Sequence, residues 1–200
     1  MWAASAAVLA LLVSCGDLEI AEDTSLAGSE LLMLPLNAAS PPPAPVSAFV
    51  KNSAEAFLRV IHPDPFRTAY LEARFPPGAL ARFDGQPVGI DDSVRVTLDP
   101  PADLYGITLS PFGLEFAESE QPYATFRFAT YADFGVANAS DRYPTRSAFA
   151  NALALWYEVS PGRWERVDGS GYTGNDAVSG RLRQPGRYVV AAVRLSLIHI

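Results

Sequence analysis

Few side chains in this sequence could act as a nucleophile, a base or a metal ligand. The 200 residues contain one cysteine, Cys15, and two histidines, His62 and His199. His62 is followed two positions later by Asp64, which could orient it as a general base. The other interpretation places His62 in solvent at the turn that leads into the domain, and the sequence favours it. No serine lies in a Gly-x-Ser-x-Gly turn, and we predict that the protein is not an enzyme.

The sequence also offers little to a metal ion or a phosphate group. Zinc sites use several histidines or cysteines, and the predicted domain has one histidine and no cysteine. Acidic and amide side chains cluster in two regions: Asp91, Asp92, Asp99 and Asp103; and Asp168, Asn175 and Asp176. Neither cluster has the spacing of an EF-hand calcium loop, and we interpret both as turn residues. We therefore predict no metal and no cofactor.

Cys15 follows a short and mostly apolar segment, residues 3–12. The segment is about as long as the apolar region of a secretion signal and too short for a helix that spans a bilayer. Leu12-Val13-Ser14-Cys15 resembles the lipobox of bacterial lipoproteins. In that family the thiol receives a diacylglyceryl group, and cleavage makes the cysteine the first residue of the mature protein. The resemblance implies a signal peptide at residues 1–14 and a lipid on Cys15; an ordinary buried cysteine is the alternative.

Composition narrows the remaining classes. About half the residues are hydrophobic (49%) and 18% are charged, which is typical of a folded domain with a substantial core. The net charge of −7 disfavours nucleic acid as a partner, because phosphates require clustered Lys and Arg. A single cysteine cannot form a disulfide within the chain, so packing must stabilise the fold. Length predicts one domain with a tail.

The strand pattern predicts an all-β domain. Four segments alternate apolar and polar residues with period two: residues 69–75, 94–98, 126–128 and 153–159. Each is typical of a strand with one buried face. Residues 188–193 are apolar on both faces, which predicts a central or covered strand, and Gly and Pro turns separate the segments. We predict a two-sheet antiparallel sandwich, with one short helix at most, over residues 145–152.

The regions outside the domain have their own composition. Residues 15–55 begin acidic and continue with small residues and prolines, so we predict an extended tether with the sandwich domain at residues 56–194. Within that tether Leu31-Leu32-Met33-Leu34 is an apolar patch that docks on the domain or lies at the lipid interface; we favour docking. Residues 195–200 resemble the translation of a sequencing adapter, and we expect them to be an artefact.

Several short phrases inside the domain resemble ZU5-like domains, an immunoglobulin-like class of β-sandwich found in receptors, ankyrin-type proteins and bacterial surface proteins. In chain order the phrases span residues 75–80, 105–109, 112–116, 122–128, 153–157, 164–167 and 186–190. The resemblance covers about residues 69–192 and implies a protein-interaction or spacer module. Some relatives cut their own backbone at a His-Phe-Ser step before the last strand. Gln184-Pro185-Gly186 stands there in this chain and supplies neither hydroxyl nor imidazole.

These observations predict a lipid-anchored protein of the bacterial cell envelope whose sandwich binds a protein or acts as a spacer. Gly16 stands where many inner-membrane lipoproteins carry Asp, so the lipoprotein resemblance favours the outer membrane. One alternative is a glycan-binding surface lipoprotein that uses Trp156 and Trp164 as a stacking platform; packing in the core is the other interpretation of both indoles. A further alternative is a non-catalytic fragment of a larger truncated protein.

Overall fold

The computed structural model describes residues 25–128, 131–139 and 142–194, and strands dominate these ranges. The first eight strands are β1 (Leu26–Ala27), β2 (Leu31–Met33), β3 (Val46–Lys51), β4 (Ala56–Ile61), β5 (Ala69–Phe75), β6 (Leu80–Phe83), β7 (Gln86–Pro87) and β8 (Ser93–Asp99). The other eight are β9 (Gly106–Ser110), β10 (Leu114–Phe116), β11 (Tyr123–Arg127), β12 (Ala154–Ser160), β13 (Arg163–Arg166), β14 (Gly171–Gly174), β15 (Ala177–Arg181) and β16 (Gly186–Val193). A helix, α1 (Arg146–Ala152), and two 3₁₀ turns, Gly28–Glu30 and Phe134–Ala139, complete the described elements.

Two large antiparallel sheets form the body of the fold. The first sheet has the order β1-β13-β12-β16-β9-β8-β3, and β2 pairs with the far end of β16. The second sheet has the order β14-β15-β11-β5-β4, and a small third sheet joins β10, β6 and β7. The sheets pack face to face without closing into a barrel, which confirms the predicted all-β sandwich.

The period-two segments predicted from the sequence are strands with one face in the core. In β8 the side chains of Val94, Val96 and Leu98 are buried, whereas Ser93 before Val94 and Arg95 between the two valines are exposed. β16 is central in the first sheet, as its apolar character on both faces predicted, because β12 and β9 flank it. Burial of each large aliphatic or aromatic side chain contributes about 1.5–3 kcal/mol, so this alternation supplies much of the driving force for folding.

The helix predicted over residues 145–152 is also present. Thr145 has an extended backbone at the N-cap of α1, and its hydroxyl accepts a hydrogen bond from the Ala148 amide at 3.1 Å. Phe149 and Ala150 form the buried side of its two turns. Among the described residues no helix is long and apolar enough to cross a membrane.

The predicted tether is wrong for the part of it that the structure describes. Residues 26–33 pair with β13 and β16, and β3 pairs with β8 over its whole length, so strands of the sandwich begin well before residue 56. Leu32, Leu34 and Leu36 are buried in the main core, so the apolar patch docks on the domain as favoured. Composition predicted a linker here because β1 and β2 are too short to show a strand pattern and their partners lie far away in the sequence.

A buried amide fixes the turn between β3 and β4. Asn52 is 5% exposed, and its amide nitrogen donates to the Leu80 carbonyl at 3.0 Å while its oxygen accepts from the Leu80 amide at 3.0 Å. The same nitrogen lies 3.3 Å from the Val88 carbonyl oxygen. Asn52 therefore joins the first sheet to the small third sheet with both of its polar atoms satisfied.

Candidate ligand-binding site

An alternating row of aromatic and basic side chains crosses the outer face of the second sheet. Phe57 on β4 lies opposite Arg74 on β5, Arg74 lies opposite Tyr123 on β11, and Tyr123 lies opposite Arg181 on β15. Opposed residues on neighbouring strands project from the same face, so strand register alone brings these four together. We call them the aromatic–arginine row.

The row is accessible to a ligand. Phe57 is 50% exposed and Tyr123 is 41% exposed, although both are large apolar side chains of the kind that fills a core. The Arg74 side chain is 59% exposed, and Arg181 is exposed at the end of β15. Both residues lie on strands that are hydrogen-bonded into the second sheet, so their rings offer contact area at a low cost in conformational entropy.

The two arginines of the row differ in their ion pairs. Arg74 donates to the Glu55 carboxylate through Nε at 2.6 Å, which fixes its guanidinium across the surface. Arg181 has no hydrogen-bond or ion-pair partner among the described residues. The next row along the same face is already satisfied, because Arg59 pairs with Glu72 and the Thr125 and Ser179 hydroxyls share a hydrogen bond. Within the row, Arg181 is thus the cation that a ligand can neutralise.

A groove continues the row toward the end of the sandwich. A depression of about 640 Å³ is lined by Tyr123 and Arg181 together with Gln121, Val167, Asp168, Gly169 and Arg183. A second depression of about 240 Å³ shares Gln121, Tyr123 and Arg181 and extends to Arg74 and Glu120. The two depressions adjoin, because Gln121, Tyr123 and Arg181 line both of them. Their volumes fit a small chain molecule rather than a folded partner.

The floor of the groove is held by a second arginine with acidic partners. Arg183 donates to Asp168 through Nη2 at 2.6 Å and contacts Glu165 through Nη1 at 3.4 Å. Gly169, which follows Asp168, has a φ of +66°, a conformation that favours glycine and that turns the loop back into β14. The groove therefore presents guanidinium donors and carboxylate acceptors side by side.

The two tryptophans predicted as a possible stacking platform do not reach the surface. Trp156 is 4% exposed and Trp164 is 3% exposed, in a small core on the outer side of the first sheet with Leu31, Val189 and Ala191. The Trp156 indole N–H donates to the Ala191 carbonyl at 3.0 Å. This corrects the platform interpretation of both residues. Alternation placed Trp156 on the outward face, but the β1–β2 segment covers that face.

His62 is likewise buried, which corrects the prediction of a solvated turn residue. It is 1% exposed, its ring stacks on Tyr131 with centroids 4.1 Å apart, and neither ring nitrogen has a hydrogen-bond partner among the described residues. Burial lowers the pKa of His62, partly offset by the charge of Asp64. Asp64 accepts hydrogen bonds from Thr68 and the Tyr131 hydroxyl, which hold its pKa below the usual range. Hydrogen bonding to Asp64 also raises the pKa of Tyr131.

This His62 cluster has no arrangement for nucleophilic catalysis. The Tyr70 hydroxyl is occupied by the Leu104 and Gly106 carbonyls, and the Tyr105 hydroxyl donates to the Phe128 carbonyl. Burial raises the pKa of both tyrosines well above its usual value, so neither hydroxyl is activated. The cluster is aromatic packing at the end of the second sheet.

Several acidic side chains of the two clusters seen in the sequence are engaged with protein groups. Asp92 accepts from the Gly89 amide at 2.7 Å, Asp91 lies 3.4 Å from Lys51, and Asp176 lies 3.7 Å from Arg146. Within residues 25–128, 131–139 and 142–194 no three His, Cys, Asp or Glu side chains are close enough to hold a metal ion. Cys15, and with it the predicted signal peptide and lipid site, lies outside the described residues.

The sequence contained a signal for the aromatic–arginine row that motif reasoning missed. Tyr123 precedes Ala124 and Phe126, which fill the core, so period two places its ring on the outward side. Phe57 stands in the same relation to the buried Leu58.

No protein-family model and no curated protein matches this chain. The site must therefore be interpreted from its own geometry.

Proposed function

We propose that this chain is a non-catalytic binding module of the bacterial cell envelope, with a ZU5-like sandwich anchored through a lipid on Cys15. One observation carries the binding role: two aromatic rings and two arginines stand in register on the exposed face of a rigid sheet. A sheet that served only as a spacer would gain solubility from polar side chains at Phe57 and Tyr123 instead.

The lipobox-like segment ending at Cys15 supports anchorage, and Gly16 supports the outer membrane as the destination. Each buried acyl CH₂ contributes roughly 0.8 kcal/mol, so a diacylglyceryl group with several chains holds a protein stably. In membrane fractionation of the expressing bacterium, we expect the parent protein in the membrane pellet and Cys15→Ala in the soluble fraction. Equal amounts of Cys15→Ala and parent in the pellet would argue against lipidation.

Binding is tested by cosedimentation of the purified protein with two envelope preparations, peptidoglycan sacculi and outer-membrane vesicles. We expect the parent to sediment with at least one of them and the double variant Phe57→Ser/Tyr123→Ser to remain in the supernatant. The matched control is Phe49→Ser, which removes an aromatic ring, 73% exposed, from the outer face of the first sheet. Equal sedimentation of parent and double variant, or none by the parent, contradicts the proposal.

A further inference from the structure

The charges around the aromatic–arginine row restrict the chemistry of its ligand. Arg74 is paired with Glu55, and Arg183 is paired with Asp168 and Glu165, whereas Arg181 is the one arginine of the row and its groove that has no ion-pair partner among the described residues. A ligand that satisfies this surface has one acidic group near Arg181 and uncharged polar groups elsewhere. The chain as a whole carries a net charge of −7, so an anionic ligand is attracted only where such an uncompensated cation lies.

The two arginines that already form ion pairs, Arg74 and Arg183, favour hydroxyl groups on a ligand. A hydroxyl both donates and accepts, so it can donate to Glu55 or Asp168 and accept from the adjacent guanidinium at the same time. A carboxylate or phosphate can only accept, and it would be repelled by the same acidic partners. The two ion pairs therefore favour a polyhydroxylated ligand at both ends of the surface, with Arg181 between them as the anion contact.

The spacing of the rings suits a linear chain of sugars. Phe57 and Tyr123 are separated by one strand, so their backbones lie about 10 Å apart, twice the spacing of neighbouring strands. A pyranose ring is about as long as one strand spacing, so alternate rings of a glycan laid across the strands would meet the two aromatic side chains. The apolar faces of sugars stack on such rings, with Arg74 between the two rings and Arg181 on the far side of Tyr123.

We propose that the aromatic–arginine row and its groove bind an acidic glycan, with a uronate carboxylate on Arg181 and sugar rings on Tyr123 and Phe57. This inference rests on the proposed binding function and names the ligand class of the same site. Nucleic acid is excluded because its dense phosphates require several unpaired cations. An acidic peptide is disfavoured because Glu55, Glu120 and Asp168 would face its carboxylates.

The test is isothermal titration of the purified protein with three oligomers of equal length: a β-1,4-linked mannose hexamer that contains a single mannuronate unit (the mannuronate hexamer), neutral cellohexaose and hexaglutamate. We expect the mannuronate hexamer to bind more tightly than the other two. Arg181→Gln, which breaks no ion pair of the described fold, should weaken mannuronate binding about tenfold, the cost of one charge-assisted hydrogen bond. Tyr123→Ala should weaken mannuronate and cellohexaose by similar factors, because it removes the stacking surface.

The chain offers a matched control on the other sheet. Phe49 and Arg95 form an opposed aromatic–arginine pair on β3 and β8, and Phe49→Ala/Arg95→Gln should leave all three affinities unchanged. Preference for hexaglutamate, equal binding of cellohexaose and mannuronate, or no binding of any oligomer overturns the acidic-glycan proposal. In each case row-dependent sedimentation with envelope material would leave the binding function standing, whereas its absence would overturn both.

Discussion

Replacing Leu32 by alanine tests whether residues 25–36 belong to the fold. Leu32 lies on β2, where it pairs with Ala192 near the end of β16. It is 1% exposed and packs in the main core. If the apolar patch of this segment lay at the lipid interface, which is the alternative to docking, the substitution would have no effect on folding. The structure makes the opposite prediction, because alanine leaves a cavity between the two sheets.

The expected loss follows from measured cavities in other cores. Leucine-to-alanine changes at buried positions cost about 2–5 kcal/mol, since the removed methyl groups lose both their transfer energy and their contacts. Domains of this kind have a free energy of unfolding of about 5–15 kcal/mol, so the change is a large fraction of the total. For a chain of this length each kcal/mol lowers Tm by about 2–4 °C, which predicts a decrease of roughly 4–20 °C.

The assay is urea unfolding of the purified protein followed by tryptophan fluorescence. Trp156 and Trp164 are buried against the neighbouring Leu31, so their emission reports on the contact between this segment and the first sheet. The control is Ala44→Ser, an exposed position in the proline-rich stretch, where we expect a change within about 0.5 kcal/mol. A Leu32→Ala variant that unfolds at the same urea concentration as Ala44→Ser would refute the placement of β2 in the core.

Asn52→Ala should lower the free energy of unfolding by about 1–3 kcal/mol, because it removes the hydrogen-bond partner of the Leu80 amide and carbonyl in a buried site. The control in the same urea assay is Asn138→Ala at an exposed position. Equal midpoints for the two variants would contradict the role of Asn52. Acidification should also destabilise the fold. Burial lowers the pKa of His62 in the folded protein, so the neutral imidazole is favoured by folding. The stability linked to this is present above the unfolded pKa of 6.5 and is lost as pH falls below that value. Asp64 adds a second loss below its unfolded pKa of 3.8. His62→Phe should flatten the decrease in Tm that begins near pH 6.5, and an unchanged profile would contradict this.

Period two predicted the strands well where one face meets the core and the other meets water. β8 has this pattern and was found from sequence, and the same holds for the alternating part of β5 from Leu71 to Phe75. Tyr70 breaks the pattern because its hydroxyl is bound by the backbone of residues 104–106, so a residue on the polar phase is fully buried. Such burial depends on a loop from elsewhere in the chain, which no local pattern records.

The N-terminal part of the fold was missed for a related reason. β1 and β2 are two and three residues long, and their partners lie more than 130 positions away on β13 and β16. Short strands carry too few residues to display a period, and the prolines at 41–45 dominate the local composition. Because β1 and β2 were not predicted as strands, nothing covered Trp156 and Trp164 in the predicted fold. The interpretation of these two indoles as an exposed stacking platform followed from that.

The aromatic–arginine row could be predicted only in part. Alternation places Phe57 and Tyr123 on outward faces, but their alignment with Arg74 and Arg181 depends on the order β15-β11-β5-β4 and on the register of each pair. A shift of one residue in any pair would turn one member of the row inward. The sequence therefore indicates the exposed side chains, and the strand pairing decides which of them act together.

The docking of residues 25–36 shortens the stretch of sequence between the proposed lipid site at Cys15 and the first strand of the sandwich. If Cys15 carries a lipid, only the ten peptide steps to Ser25 separate the bilayer from the sandwich, at most about 35 Å when fully stretched. The forty residues first assigned to a tether would have allowed several times that height. A ligand of the proposed site would then be held within a narrow layer next to the membrane surface.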